Sequence, residues 1–377
     1  MNIRRKHRDI DDNQGMSAEI VSLDEMVSRP VGEMTPSSGE GDKRAVTLDA
    51  KVRFLSESSS YPHAPRDVTW KETHMSWIFL AGDRVFKLKK AVHYPYLDFS
   101  TLAARELYCR EEIRLNGRLA KGVYLGVVSL TRSDDDLLAL GGEGEIVEWL
   151  VVMRRLPSER MLDALLRGGG LDDEAISRLA QLLADFYKKA ERPILSCDAT
   201  FRRFSDEMVD NRNVLTYPPL DFDQARVDAL LTRVDAVLYL FRPKLEERVR
   251  AGHVVDGHGD LRPEHICLND PIVIFDCLEF NRDFRLVDPF EELALLDIEC
   301  TRLGAPLFGP LLMDHVARLL GADIPRDLVS LYRVLLATLR ARLSLAHLLD
   351  PAPRERGKWL PLAKGYLKIA EAALCRI

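Results

Sequence analysis

The sequence predicts an α+β, bilobal chain, with a small β-rich N-terminal lobe over residues 46–156 and a larger helical lobe over 157–377. Three observations predict this. Short β-branched and aromatic runs, broken by turn signals, crowd the first part. Apolar residues recurring every three or four positions dominate the second. Hydrophobic residues make up 46% and charged residues 30% of the 377, the balance of a globular protein with a full core.

Taken in order, residues 1–45 are polar and carry Pro30, Pro36 and the run Ser37-Ser38-Gly39-Glu40-Gly41-Asp42. Such a segment cannot bury enough apolar surface to offset its ordering entropy, so a disordered arm is expected. Its basic start, Arg4 to Arg8, suits either an acidic partner or a solvated tail. It lacks the apolar stretch of a secretory signal, and Asp9, Asp11 and Asp12 fit a transit peptide poorly.

In the N-terminal lobe, Trp77 to Leu80 and Val85 to Lys89 read as strands across the turn Gly82-Asp83. Ser100 is placed to cap a helix from Thr101 to about Leu119. Strands follow at Tyr124 to Leu130, Asp136 to Leu140 and Ile146 to Arg154. Past Pro157, helices are expected from Asp172 or Asp173 to Lys189 and from Phe222 to Arg250. Four more follow near 290–303, 306–321, 325–349 and 358–375. In the longest of these four, Leu328, Leu331, Leu335, Leu339 and Leu343 keep one apolar stripe.

The net charge of −6, from 59 acidic and 53 basic side chains, argues against nucleic acid as a partner. No apolar run reaches the roughly 18 residues of a membrane span. The six cysteines form no C-x-x-C pair and read as reduced thiols of a cytoplasmic protein.

The chemistry concentrates in Gly257-His258-Gly259-Asp260-Leu261-Arg262-Pro263-Glu264-His265 and, further on, Pro271 to Asp276. Ile272 to Phe275 is a buried strand by composition, and Ile266 to Leu268 pairs with it across Asn269-Asp270. That hairpin sets Asp260 and Asp276 on one cleft. Phosphoryl transfer needs two such carboxylates, one for the attacking hydroxyl and one for the metal.

This stretch resembles the H-G-D-x-x-x-x-N-[ILV] loop of the aminoglycoside phosphotransferase-like family, which has the protein-kinase-like fold, and in particular its uncharacterised bacterial branch. Asp288-Pro289-Phe290-Glu291-Glu292-Leu293-Ala294 is similar to that family's D-P-x-x-[DE]-L-A segment. The resemblance implies an ATP-dependent phosphotransferase acting on a small-molecule hydroxyl, with residues 46–156 as its nucleotide-binding lobe. Asp260 is then the base, His258 a loop support, Asp276 the Mg2+ ligand, and Arg262 a contact to the transferred phosphate. His265 stands where the family has asparagine; imidazole suits Mn2+ better than Mg2+, and Glu279 is the alternative metal contact.

The same resemblance asks for a lysine on the third strand and a helical glutamate. Lys87, with Lys89 as alternate, and Glu112, with Glu111 as alternate, answer it. Ser76 is a phosphate contact, in a lobe with no G-x-G-x-x-G, and Met153-Arg154-Arg155-Leu156-Pro157 is the hinge whose backbone contacts adenine, Met153 and Arg155 foremost. Two other readings remain open. A pseudokinase would bind nucleotide or a partner without turnover. A metal-dependent hydrolase would use Asp256, His258, Asp260 and His265, with His253 and Cys267 nearby. Asp206, Glu207, Asp210 and Asp297 suit a cationic acceptor or a solvated helix face equally, and no protein partner is identified.

Overall fold

The computed structural model describes residues 46–94, 96–169, 171–217, 223–349 and 356–377; the expected N-terminal arm lies outside them. After a short helix α1 (Leu48–Leu55), strands β1 (Val68–Glu72), β2 (Ser76–Ala81) and β3 (Arg84–Lys89) form a meander. Gly82, at φ +63°, makes the tight turn between β2 and β3 that the sequence signals. A two-residue pair, β4 (His93–Tyr94) and β5 (Leu97–Asp98), leads into helix α2 (Leu102–Asn116). Strands β6 (Tyr124–Arg132), β7 (Leu138–Leu140) and β8 (Glu145–Arg154) complete an antiparallel sheet in the order β1-β2-β3-β8-β6-β7.

Helices α3 (Leu162–Gly168), α4 (Asp173–Lys189), α5 (Cys197–Leu215) and α6 (Gln224–Arg250) follow. The catalytic-loop region then threads β9 (Val255–Asp256), β10 (Ile266–Cys267), β11 (Val273–Ile274) and β12 (Leu286–Val287). Helices α7 (Pro289–Arg302), α8 (Phe308–Leu320), α9 (Arg326–Ala346) and α10 (Arg356–Leu374) close the chain. No helix among the described residues is long and apolar enough to cross a membrane.

The fold is α+β as expected: a sheet with one inserted helix, then a helical region around a large apolar core. Several details differ. Thr101, not Ser100, caps α2, its hydroxyl accepting from the Ala104 amide at 3.1 Å. That helix stops at Asn116, because Gly117 ends it and Arg118 turns away to Asp256 and Gly257. β1 and α1 are additional elements. Helix α5 falls in the stretch 195–250 expected to be helical, but its bounds and its apolar face at Phe201, Phe204, Met208 and Leu215 are hidden in sequence among charged residues. Asp288 caps α7 with Pro289 at its first position, and Arg248 grips the capping carboxylate at 2.6 and 3.0 Å.

Candidate active site

The loop after β9 is held from behind by α7. Glu292 Oε1 accepts the amides of His258 and Gly259, both at 2.7 Å, and Glu292 Oε2 accepts from the Tyr187 hydroxyl at 2.8 Å. A side chain at Gly257 would collide with that carboxylate at 2.8 Å. Gly259 sits at φ +84°, where a Cβ would press on Arg285 Cγ at 3.0 Å and on the Phe284 carbonyl at 3.2 Å. Two glycines flanking His258 therefore let the loop lie flat on Glu292 and deliver Asp260.

His258 is fully buried. Its Nε2 donates to the Phe275 carbonyl at 2.9 Å, and its Nδ1 accepts from the Asp260 amide at 3.3 Å. Burial, with His265 close by, pushes its pKa down to about 3, so it stays neutral. Its place is the support role expected for it.

The expected β10–β11 hairpin forms, pairing Ile266 with Ile274 and Cys267 with Val273, one residue off the register of a two-residue turn at Asn269-Asp270. It ends in Asp276, a non-glycine residue at φ +60°. Such backbone costs of order 1 kcal/mol or more and is tolerated where neighbours fix it. Here the Asp276 amide donates to Tyr124 Oη at 3.2 Å, and the Cys277 amide donates to Asn116 Oδ1 at 2.9 Å.

Lys87 meets Asp276 from across the sheet. Its Nζ lies 2.9 Å from Asp276 Oδ1 and 3.1 Å from Glu112 Oε1. Lys89, on the same face of β3, lies 2.7 Å from Glu112 Oε2 and bonds Glu279 as well. Both lysines thus share Glu112, which is fully buried, while Glu111 pairs on the surface with Arg114. Burial would lower the Lys89 pKa, but Glu112 and Glu279 outweigh it and hold the ammonium firmly protonated. Burial likewise would raise the Asp276 carboxyl; Lys87 foremost overcomes that and holds it well below the usual carboxylate range.

His265 stands between the aspartates. Its Nδ1 is 2.9 Å from the Asp260 carbonyl and 3.6 Å from Asp260 Oδ2, and its Nε2 is 3.5 Å from Asp276 Oδ2. The Arg262 guanidinium, 3.2 Å from Nε2, donates to it, which occupies the Nε2 lone pair and assigns the ring proton to Nδ1.

Three expectations are corrected. Arg262 does not face a phosphate: it is fully buried, ion-paired with Asp260 at 3.0 Å and Glu264 at 3.2 Å, because its short loop folds the guanidinium inward. Glu279 does not join Asp276 as a metal contact; the left-handed turn at Asp276 sends it to Lys89 instead. The hydrolase cluster does not assemble. Asp256 is drawn to Arg118 at 3.1 Å and Arg285 at 2.9 Å, and Cys267 packs in an apolar cluster with Val273. Among the described residues no group of three or more metal-ligating side chains gathers. A divalent ion would be held by Asp276, and His265 Nε2, 3.5 Å from Asp276 Oδ2, would join it only on giving up its bond from Arg262.

At the hinge, the Arg154 amide donates to the Val123 carbonyl and the Arg155 amide to that of Asp83, both at 2.8 Å. Met153 is buried between β3 and β6. The expected donors at Met153 and Arg155 are therefore already engaged in the sheet, and the Leu156 amide is the first beyond them that bonds no carbonyl among the described residues. Ser76 lies opposite Lys89 on the lysine-bearing face, its hydroxyl buried with no hydrogen-bonding partner among the described residues.

On the other side of Asp260 opens a cavity of about 410 Å³. Of the acidic residues noted for a cationic acceptor, Asp206, Glu207 and Asp210 line it and Asp297 does not; Asp297 is buried against Arg333.

No protein-family model matches the chain. Uncharacterized proteins of Mycobacterium tuberculosis and Mycobacterium bovis are 31% identical to it over 282 residues, 72% of this chain and 53% of theirs. The chain thus spans about half the length of the curated relatives it matches. The GDP and kanamycin complex of APH(2")-IIia superposes with a TM-score of 0.50 at 17% identity, covering 88% of this chain and 99% of that one. The GDP complex of a mutant aminoglycoside 2'-phosphotransferase aligns with a TM-score of 0.48 at 19% identity, over 83% and 92% of the two chains.

The fold is protein-kinase-like.

Several supports of this site were not read from sequence. Glu292 had a signal, since it occupies the acidic position of the segment beginning Asp288-Pro289. Asn116 and Tyr124 had none: each acts through one hydrogen bond to the backbone beside Asp276, and nothing in their local sequence points there. The Lys89–Glu279 pair was visible only as two separate candidates.

Proposed function

We propose that the chain transfers the γ-phosphate of ATP to a hydroxyl group of a small molecule. The single observation that carries this reading is the contact of Lys87 with both Glu112 and Asp276, with Asp260 one imidazole away from Asp276. Lysine, glutamate and two aspartates in that relation are what phosphoryl transfer asks of this fold.

In this reading the acceptor hydroxyl lies against Asp260, which takes its proton as the oxygen attacks the γ-phosphorus. The bond from that phosphorus to the β-bridging oxygen breaks, and ADP leaves. Lys87 neutralises phosphate charge, and Glu112 fixes its direction. Arg262 acts on Asp260, holding its carboxylate in place. The Leu156 amide is the hinge donor to adenine, and Ser76 is the reserve donor on the lysine-bearing face. A divalent cation held by Asp276, with His265 Nε2 beside it, would supply charge neutralisation between the phosphates. A cytoplasmic setting, expected from the cysteines, belongs to the same proposal.

A second reading, nucleotide binding without efficient turnover, is favoured by one observation. His265 occupies the position of the second metal ligand and already accepts a bond from Arg262. Calorimetric titration with ATP, with Mg2+ or Mn2+ present, followed by release of ADP in the presence of candidate alcohols, separates the two. Binding with turnover supports the transferase; binding alone supports the second reading.

A further inference from the structure

The cavity beside Asp260 says what kind of acceptor this site would take, an inference that rests on the phosphotransferase reading. Its floor is Gly259 and Asp260, so an occupant meets the proposed base directly. Its walls are Phe204 of α5, Leu295 of α7, and Tyr332, Leu335, Leu336 and Leu339 of α9. The α9 positions step by three and one along a single helix face, so the wall is continuous. A volume of about 410 Å³ suits one compact molecule.

The charged groups around this space are largely satisfied by one another. Arg203 holds Glu291 through both oxygens at 2.8 Å. Arg342 bonds Glu207 and lies 3.9 Å from Asp210. Arg340 bonds Glu299 at 2.9 Å, and Glu292 is occupied by the loop amides. Asp206 is exposed at the rim. A single ammonium group would find a counter-ion at Asp206, whereas a molecule bearing several would have to press the others against Phe204 and the leucines, which burial penalises. An apolar skeleton meets no such penalty and removes that wall from water.

We propose that the acceptor is an uncharged alcohol with an apolar body, which packs between Phe204 and the α9 leucines and presents one hydroxyl to Asp260. Hydrogen-bond donors on its outer end would meet Asp206 at the rim.

The test uses the full chain and two readouts. Equilibrium binding is measured without nucleotide for a panel of apolar alcohols (estradiol, menthol and a hydroxylated macrolactone) and for kanamycin as the polycationic control. Transfer is measured with γ-labelled ATP on the same compounds. The expected result is binding and phosphorylation of at least one apolar alcohol, weakened at least about tenfold by Leu339→Lys at a half-buried wall position. Leu339→Met should keep it, and an unchanged melting temperature in both variants excludes misfolding.

Binding without transfer, with the same response to Leu339→Lys, sustains the pocket inference and overturns the phosphotransferase reading. Failure of every apolar alcohol to bind overturns the pocket inference. Kanamycin preferred tenfold or more overturns it too, and transfer to kanamycin would leave the phosphotransferase reading standing.

Discussion

Lys87 Nζ lies 2.9 Å from Asp276 Oδ1, joining the middle of β3 to the end of the β10–β11 hairpin. The two residues are 189 positions apart in sequence, and each has a second partner that fixes it. Glu112 holds the lysine, and His265 flanks the aspartate. The contact ties the sheet to the loop carrying Asp260, and it is the relationship on which the proposed chemistry turns.

The two lysines of β3 should separate in their effects. Lys87→Met removes the group facing Asp276 and should lower kcat/KM at least about 100-fold, the scale of losing one preorganised charge contact. Its melting temperature should move less than that of Lys89→Met. The latter leaves Glu279 buried without its cation, while Glu112 retains Lys87, and should cost on the order of 3 kcal/mol of stability. Urea unfolding of both variants beside steady-state kinetics checks the split.

His258 makes stability fall with acid. It is neutral in the fold, with its pKa lowered from 6.5 to about 3, so the unfolded chain binds the extra proton between those values. Stability from this group is therefore complete above pH 6.5 and declines as pH drops, by about 2 kcal/mol at pH 5. Melting temperatures at pH 7 and pH 5 should show the decline, and His258→Gln should flatten it.

Gly259→Ala tests the flat loop. The new Cβ meets Arg285, Leu278 and the Phe284 carbonyl at 3.0 to 3.2 Å on a left-handed backbone, which should cost about 2 kcal/mol. Since Asp260 is the next residue, activity should fall further than the lost stability accounts for at a temperature where the variant remains folded. Activity measured well below the shifted melting point reads this.

His265→Asn exchanges an imidazole for an amide oxygen between the aspartates. Oxygen suits Mg2+ and nitrogen favours Mn2+. The ratio of Mg2+-supported to Mn2+-supported turnover should therefore rise in the variant. An unchanged ratio would place His265 outside metal binding, as a brace between Asp260 and Arg262 alone.

What the sequence made legible follows local rules. Asp260 and Asp276 could be read because each closes a local signal, the glycine-flanked His258 loop and the apolar run Ile272 to Phe275, whatever the register of the hairpin between them. Lys87 was legible as a strand lysine, but residues two apart share a face. Nothing local could rank it against Lys89, and both turn out to bind Glu112. Glu111 and Glu112 differ by about 100° around α2, and the apolar Leu115 and Leu119 on the Glu112 flank already mark which turns inward; both leucines are buried. Arg262, by contrast, was misplaced. Its position suited a phosphate contact, whereas full burial between Asp260, Glu264 and His265 arises from a turn whose direction its sequence does not encode. The hinge donors were displaced because β8 pairs on both edges to its end, consuming amides that a freer segment would offer.

Asp260→Asn offers the most direct test of the central claim. Wild type and variant are compared by calorimetric ATP binding and by transfer of labelled γ-phosphate to the accepted alcohol. The proposed roles predict transfer reduced about 1,000-fold or more, the upper range for loss of a general base, with nucleotide affinity within about threefold of wild type. Transfer at the wild-type rate in the variant would contradict the account.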